Sequence, residues 1–354
     1  MKNIFFTVGP SQLYPTVPKH IANAVKNGIP SLSHRSEVFK EINRSTQTNL
    51  RKLLNIPKSH HIFYTSCALE AMERVIQNTA QKHVINFVNG SFSREFYQTA
   101  VDLKKNAVRI DMPNGHGFDL TRVKVPKKTE LLCLVHNETS TGVAQPLENI
   151  KLLKKTNPDA LIAMDIVSSA PYVAVDFSVI DMAFFSVQKG FGMPAGLGVL
   201  IVNEKALEKA KWLADKNMSI GSYHNFLKLA EFEKKYQTRE TPNVLAIYLL
   251  GKVTGDMLDR GIDKIRNETD QKAEIINKFF ENHGTYKHYV AEKHRSKTTI
   301  VIDVKGDSKK LVKQLAKHGF IIAQGYGKRK DIHIRIGNFP AHRVEDVRKL
   351  ISSI

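Results

Sequence analysis

Ala160-Leu161-Ile162-Ala163-Met164-Asp165 and Met182-Ala183-Phe184-Phe185-Ser186, the second leading into Gln188-Lys189-Gly190-Phe191-Gly192, decide the fold. Each run is short, apolar and uncharged until its end, the pattern of a strand buried on both faces of a sheet. The first delivers an acid, Asp165, and the second is followed by a base, Lys189. An ionised carboxylate and an ammonium at the ends of buried strands are costly unless something pairs with them. Either residue alone reads as a solvated strand end. The ordered pair, with a glycine-rich stretch over residues 190–198 after the lysine, points to a bound group.

Working outward, apolar runs give further strands at 61–64, 84–88, 107–111 and 131–135. A helix is expected over 68–76. Another begins after His34-Arg35, capped by Ser36, with Phe39 and Ile42 facing inward. Strands alternating with helices through residue 202 imply a mostly parallel, doubly wound sheet with its site at the strand C-termini. The polar strings fall there. At Thr65-Ser66-Cys67 a strand turns into a helix, so free N–H groups and the helix dipole favour an anion, or serve a plain N-cap. Asn89-Gly90-Ser91-Phe92 follows one strand and His136-Asn137-Glu138-Thr139-Ser140-Thr141-Gly142 follows another.

One ligand pairs with both Asp165 and Lys189: pyridoxal 5′-phosphate, whose aldehyde takes a lysine amine as a Schiff base and whose ring nitrogen takes a carboxylate. Here the chain resembles the class V (fold-type I) aminotransferases. Ser186-Val187-Gln188-Lys189-Gly190-Phe191-Gly192-Met193-Pro194 is similar to that family's Schiff-base segment, and Met164-Asp165-Ile166-Val167-Ser168-Ser169 to its pyridinium-binding strand. The resemblance covers nearly the whole chain. It implies that Lys189 and Asp165 are catalytic, with Lys189 as general base and acid. It places the cofactor phosphate at Thr65, Ser66 and Cys67, the stacking aromatic at Phe92, and Gln188 beside the lysine. Thr141, or Thr139 if the offset differs, reaches the ring's 3′-oxygen region. Thr7-Val8-Gly9-Pro10-Ser11 resembles the family's opening Gly-Pro segment that approaches the active site.

Two further strings bear on the substrate. Ser33-His34-Arg35-Ser36 resembles a segment of the phosphoserine aminotransferases, where a His-Arg pair lies near the substrate phosphate. A guanidinium suits that task through paired, charge-assisted hydrogen bonds. In Ile332-His333-Ile334-Arg335-Ile336-Gly337 the alternation is clean, and Arg335 resembles the family's carboxylate-gripping arginine. Arg329, in the basic loop Gly325–Lys330, adds positive charge for a phosphorylated substrate or is only a solvated turn. Thr241, before Pro242, caps the helix that follows or, by the resemblance, touches the cofactor phosphate of the other subunit in a homodimer with shared sites.

From about residue 261 the pattern changes to a long helix over 264–282, strands at 298–304, 321–324 and 332–336, and helices at 311–317 and 344–354. The expected organisation is a large cofactor-binding domain over 16–260 and a small α/β domain from 1–15 and 261–354. The pattern implies an α/β fold, and the resemblance implies the PLP-dependent transferase fold type I. The net charge of +19 comes from lysines scattered through helices, without a basic tail or zinc-finger spacing. Solubility and attraction of anionic substrates account for it better than nucleic acid. Two cysteines, Cys67 and Cys133, imply no disulfide framework, and no signal peptide or membrane span is read, so a cytoplasmic setting is expected. The histidines and cysteines form no HxxxH or CxxC array, so no metal is expected. The expected reaction is transamination of 3-phosphohydroxypyruvate by glutamate. The alternatives are a serine–pyruvate or alanine–glyoxylate type aminotransferase and, from another class, a PLP-free basic binding protein.

Overall fold

Leu161, Ile162, Ala163 and Met164 are all buried, because a neighbouring strand lies on each side of them and helices cover both faces. The computed structural model describes residues 3–113 and 115–354. In chain order, β1 (Ile4–Phe6) precedes α1 (Val17–Lys26), α2 (Glu37–Leu54), β2 (His60–Thr65), α3 (Ala68–Thr79), β3 (His83–Val88), α4 (Ser91–Asp102) and β4 (Asn106–Asp111). Then come β5 (Leu131–Val135), β6 (Asn137–Glu138), β7 (Val143–Ala144), α5 (Glu148–Thr156), β8 (Leu161–Asp165), β9 (Met182–Ser186) and β10 (Gly198–Asn203). Three helices follow, α6 (Glu204–Asp215), α7 (Phe226–Glu233) and α8 (Val244–Arg260), and then the long α9 (Ile262–Glu281). The chain closes with β11 (Lys287–His288), β12 (Thr299–Asp303), α10 (Ser308–Lys317), β13 (Phe320–Gln324), β14 (His333–Gly337) and α11 (Val344–Ile351).

The large sheet has the order β2-β10-β9-β8-β5-β3-β4, with β10 antiparallel to both neighbours and the remaining pairs parallel. This is the mostly parallel, doubly wound sheet expected from the alternation. Its register puts Thr65 and Ser186 on either side of Gly198, at one edge of the site. A Cβ on Gly198 would lie 2.3 Å from the Thr65 hydroxyl, so only glycine lets the three strand ends close. Ser36 caps α2 by accepting from the Phe39 N–H, as expected.

The small sheet has the order β1-β13-β14-β12-β11 and is antiparallel except for β1 on β13. Its own apolar core joins Phe6 to Ile276, Phe280, Ile302, Ile334 and Leu350. Strand β1 was not legible: the turn-rich opening hides three residues whose pairing is with β13, more than three hundred positions away. One cap differs from expectation. Asn243, not Thr241, is the N-cap of α8, accepting from the Ala246 N–H, and Pro242 therefore precedes the helix. Among the described residues, no helix is long and apolar enough to cross a membrane.

Candidate active site

A cavity of about 310 Å³ opens at the C-terminal ends of the parallel strands. Asp165, Lys189, Gln188, Phe92, Cys67, Thr139 and Arg335 line it, with Val8 and Gly9 from the N-terminal segment. Seven residues chosen from six separate stretches of sequence therefore converge. Gly9, at φ +129°, lies against the lysine stem: a Cβ there would come within 2.7 Å of Lys189 Cε. The opening Gly-Pro segment thus fixes the lysine side chain, and the Ser11 N–H holds it in place by donating to the Gln188 carbonyl.

Lys189 and Asp165 have fewer partners than comparable buried charges elsewhere in the chain. Lys272, the other buried lysine among the described residues, gives its amine to the carbonyls of Phe339 and His342, both at 2.9 Å. Among the described residues, Lys189 Nζ donates only to Thr139 Oγ1, at 2.8 Å. Asp181, at the opposite end of the sheet, accepts from Lys154 Nζ, the Ile162 N–H and Asn203 Nδ2. Asp165 is equally buried but accepts one hydrogen bond, from the Val167 N–H to Oδ1 at 2.7 Å. Among the described residues, Oδ2 has no donor. Burial accordingly raises the Asp165 carboxyl above its ordinary value and lowers the Lys189 ammonium below its own. A group bringing a protonated ring nitrogen to Oδ2 and an aldehyde to Nζ supplies what both lack, so these residues fit pyridoxal 5′-phosphate.

The rest of the cavity agrees. The Phe92 ring centroid lies 5.2 Å from Lys189 Nζ, forming a wall on which a flat ring can stack. Cys67, Ala68 and Leu69 bring the first turn of α3 to the cavity, with its N–H groups and dipole. Thr65 donates to the Cys67 carbonyl at 3.0 Å and so shapes this turn without lining the cavity. Ser66 is exposed and gives both its N–H and its hydroxyl to Glu70 Oε2. Glu70 would oppose an anion there, but His224 lies between it and Glu240. Burial works against a charged ring at His224, yet its hydrogen bond to Glu70 and its close contact with Glu240 lift its pKa to about 9, which favours the cationic ring that offsets Glu70.

Arg335 reaches the cavity from β14. Its Nε donates to the Gln324 carbonyl at 2.9 Å, and its guanidinium lies 5.3 Å from the Tyr326 ring centroid. Burial lowers its pKa to about 10, which still leaves it charged. Of the two threonines, Thr139 lines the cavity, and Thr141 points to the Asn89 carbonyl instead. Arg329 stacks on Tyr289 at 4.6 Å and does not line the cavity; from that loop Tyr326 does. His34, Arg35 and Thr241 also lie outside the cavity of a single chain. The Arg35 guanidinium donates to Gln237 Oε1 and to the carbonyls of Thr238 and Arg239, anchoring the segment that carries Thr241.

Sequence reasoning missed Tyr326 and Glu138. The Glu138 carboxylate is fully buried and accepts five hydrogen bonds, from the N–H groups of Phe92, Ser93 and Ser140 and the hydroxyls of Ser93 and Ser140. Gly90 lets it approach, since a Cβ there would meet Glu138 Cγ at 2.2 Å. Glu138 therefore sets the position of Phe92. Glu138→Ala strands these donors and is expected to cost roughly 3–5 kcal/mol, read as a lower urea midpoint with an unchanged slope. A loss below about 1 kcal/mol would remove Glu138 from this role.

The family model for class-V aminotransferases matches residues 4–335. The chain belongs to the class-V aminotransferases. A phosphoserine aminotransferase from Cytophaga hutchinsonii of known crystal structure is 44% identical, with a TM-score of 0.97, over 99% of this chain and 98% of that one. A phosphoserine aminotransferase of Rhodococcus opacus is 27% identical over 357 residues, 99% of this chain and 93% of the relative. An uncharacterized aminotransferase of Methanocaldococcus jannaschii is 31% identical over 272 residues, 74% of this chain and 68% of the relative. As a class-V aminotransferase, this enzyme uses pyridoxal 5′-phosphate.

Proposed function

We propose that this aminotransferase moves the amino group of glutamate to 3-phosphohydroxypyruvate, forming phosphoserine and 2-oxoglutarate. The observation that carries the reading is the 44% identity to the Cytophaga phosphoserine aminotransferase along nearly the full length of both chains. When bound, pyridoxal 5′-phosphate supplies an aldehyde for the Lys189 amine and a ring that accepts the electrons released at the substrate Cα. Lys189 Nζ takes the Cα proton and returns it on the far side of the reaction, and burial suits it to this by favouring the neutral amine. Asp165 Oδ2 holds the proton on the ring nitrogen. Phe92 supports the ring face, Thr139 orients Nζ, and the first turn of α3, entered at Cys67, receives the cofactor phosphate. Arg335 grips the substrate carboxylate so that the Cα–H bond stays aligned.

In this reading the enzyme is a cytoplasmic homodimer, and His34, Arg35 and Thr241 serve the neighbouring protomer's site. Half-exposed Leu69, on the cavity wall, supports a covering partner there. The test compares 3-phosphohydroxypyruvate, glyoxylate and pyruvate as acceptors. Preference for glyoxylate overturns the substrate in favour of the alanine–glyoxylate type. Arg35→Ala sharpens it. A charge-assisted hydrogen bond is worth roughly 1.5–3 kcal/mol, so kcat/KM for phosphoserine should fall about ten- to a hundredfold through KM, with far less change for alanine. Equal losses on both substrates would reduce Arg35 to an anchor of residues 237–239.

A further inference from the structure

A second cavity, of about 470 Å³, shares Asn137 with the first and is lined also by His136. Four cations line it: Arg266, Lys293, Arg295 and Lys297. Two acids, Glu148 and Asp270, face them, and Asp270 already accepts from the Tyr172 hydroxyl. Arg295 pairs with Glu281 through Nη1, and Arg266 pairs with exposed Asp263 through Nη1 and donates from Nε to the Tyr172 carbonyl. These contacts hold the two guanidinium groups in place and leave Nη2 of each without an acceptor among the described residues. Lys293 and Lys297 are exposed at the rim.

The cavity floor carries the second observation. His136 is 9% exposed and Asn137 3%, and both line the cavity. Asn137 Nδ2, a donor, and His136 Nδ1, a donor in the tautomer that carries its proton there, are buried and have no hydrogen-bond partner among the described residues. Buried polar groups of folded proteins nearly always find partners, so two orphaned ones under four cations mark a place for an acceptor-rich guest. We propose that this cavity binds a small multivalent oxyanion, bearing carboxylate or phosphate groups, and that its occupancy is felt at Lys189.

The connection is a continuous hydrogen-bond chain. Asn137 lines both cavities. Its carbonyl accepts from Ser168 Oγ at 2.7 Å, Ser168 Oγ shares a hydrogen bond with Thr139 Oγ1 at 2.8 Å, and Thr139 Oγ1 accepts from Lys189 Nζ. Thr298, another residue of the second cavity, donates to the Ser168 carbonyl at 2.5 Å. An anion that draws the Asn137 amide toward itself shifts the hydroxyls that orient the catalytic amine.

The test uses holoenzyme with the amino donor at saturation, so that the first cavity is filled. Citrate and pyrophosphate are titrated calorimetrically at ionic strength matched with chloride, one probe for each source of oxyanion. Saturable binding of one anion per chain is expected from at least one probe, with a change in kcat. Lys293→Ala combined with Lys297→Ala should weaken that binding tenfold or more and leave turnover without anion unchanged. Ser168→Ala should bind the anion as well as wild type but lose its effect on turnover. Absence of saturable binding, binding unaltered in the double variant, or displacement by the amino donor would each overturn the site. Binding with no change in kcat would overturn the link to Lys189.

Discussion

Lys189→Ala abolishes transamination and removes the visible absorption of the lysine-linked cofactor. The expectation rests on what lines the cavity: among the described lining residues, Lys189 is the one amine, and the other cation, Arg335, stays protonated. No neighbour can take over either the covalent link or the proton transfer. The fold should survive, since the change removes a buried amine that has a single hydrogen bond among the described residues. Some cofactor should still bind through the first turn of α3, Phe92 and Asp165. Absorbance spectra and single-turnover assays on the purified variant check this, and turnover at the wild-type rate would exclude Lys189 as the catalytic base.

The features that made Lys189 and Asp165 readable are physical. Strands buried on both faces have no polar side, so they appear as unbroken apolar runs, and a charge at the end of one stands out. The same logic placed Phe92 and the 136–142 string at strand ends, and the structure brings both to the cavity or its wall. Choosing between Thr139 and Thr141 was beyond a linear reading. The backbone reverses within the β6–β7 hairpin, so a step of two residues turns one hydroxyl to Lys189 and the other to Asn89.

Tyr326 and Glu138 were hidden for different reasons. Tyr326 owes its place to the pairing of β13 with β14, which carries the loop back over Phe92, at a ring-centroid distance of 5.7 Å. The basic residues of that loop drew notice through their charge, yet Arg329 turns to Tyr289. Glu138 looked like one more polar residue in a loop. Only the tertiary approach of α4, through the gap at Gly90, turns it into a buried acceptor of five donors. The Asn243 cap shows the limit of local rules: Thr241-Pro242 has the composition of a helix start, but the chain begins its helix two residues later, where an amide oxygen meets the Ala246 N–H.

Asp165→Asn is expected to separate catalysis from stability. The introduced asparagine keeps one acceptor, which the Val167 N–H claims, as it now claims Oδ1 of the acid. The amide NH2 is then left facing the cavity as a donor. A ring nitrogen there must become an acceptor and lose its proton, and with it most of the ring's ability to draw electrons from Cα. The rate should fall at least about a hundredfold, the scale of a misplaced proton in a preorganised site. Stability should move the other way. Burial raises the Asp165 pKa above its ordinary 3.8, so the folded apoprotein prefers the protonated acid. Its contribution to stability is complete below pH 3.8 and is lost as pH rises through the raised value. The amide carries no such penalty, so the apo variant should be at least as stable as the apo wild type at neutral pH, with the difference vanishing in acid. Denaturation of both apoproteins from about pH 4 to about pH 8, beside turnover of both holoenzymes, reads the two effects separately. A variant within a few-fold of the wild-type rate, or one destabilised at neutral pH, would mean that Asp165 is a structural acid like Asp181.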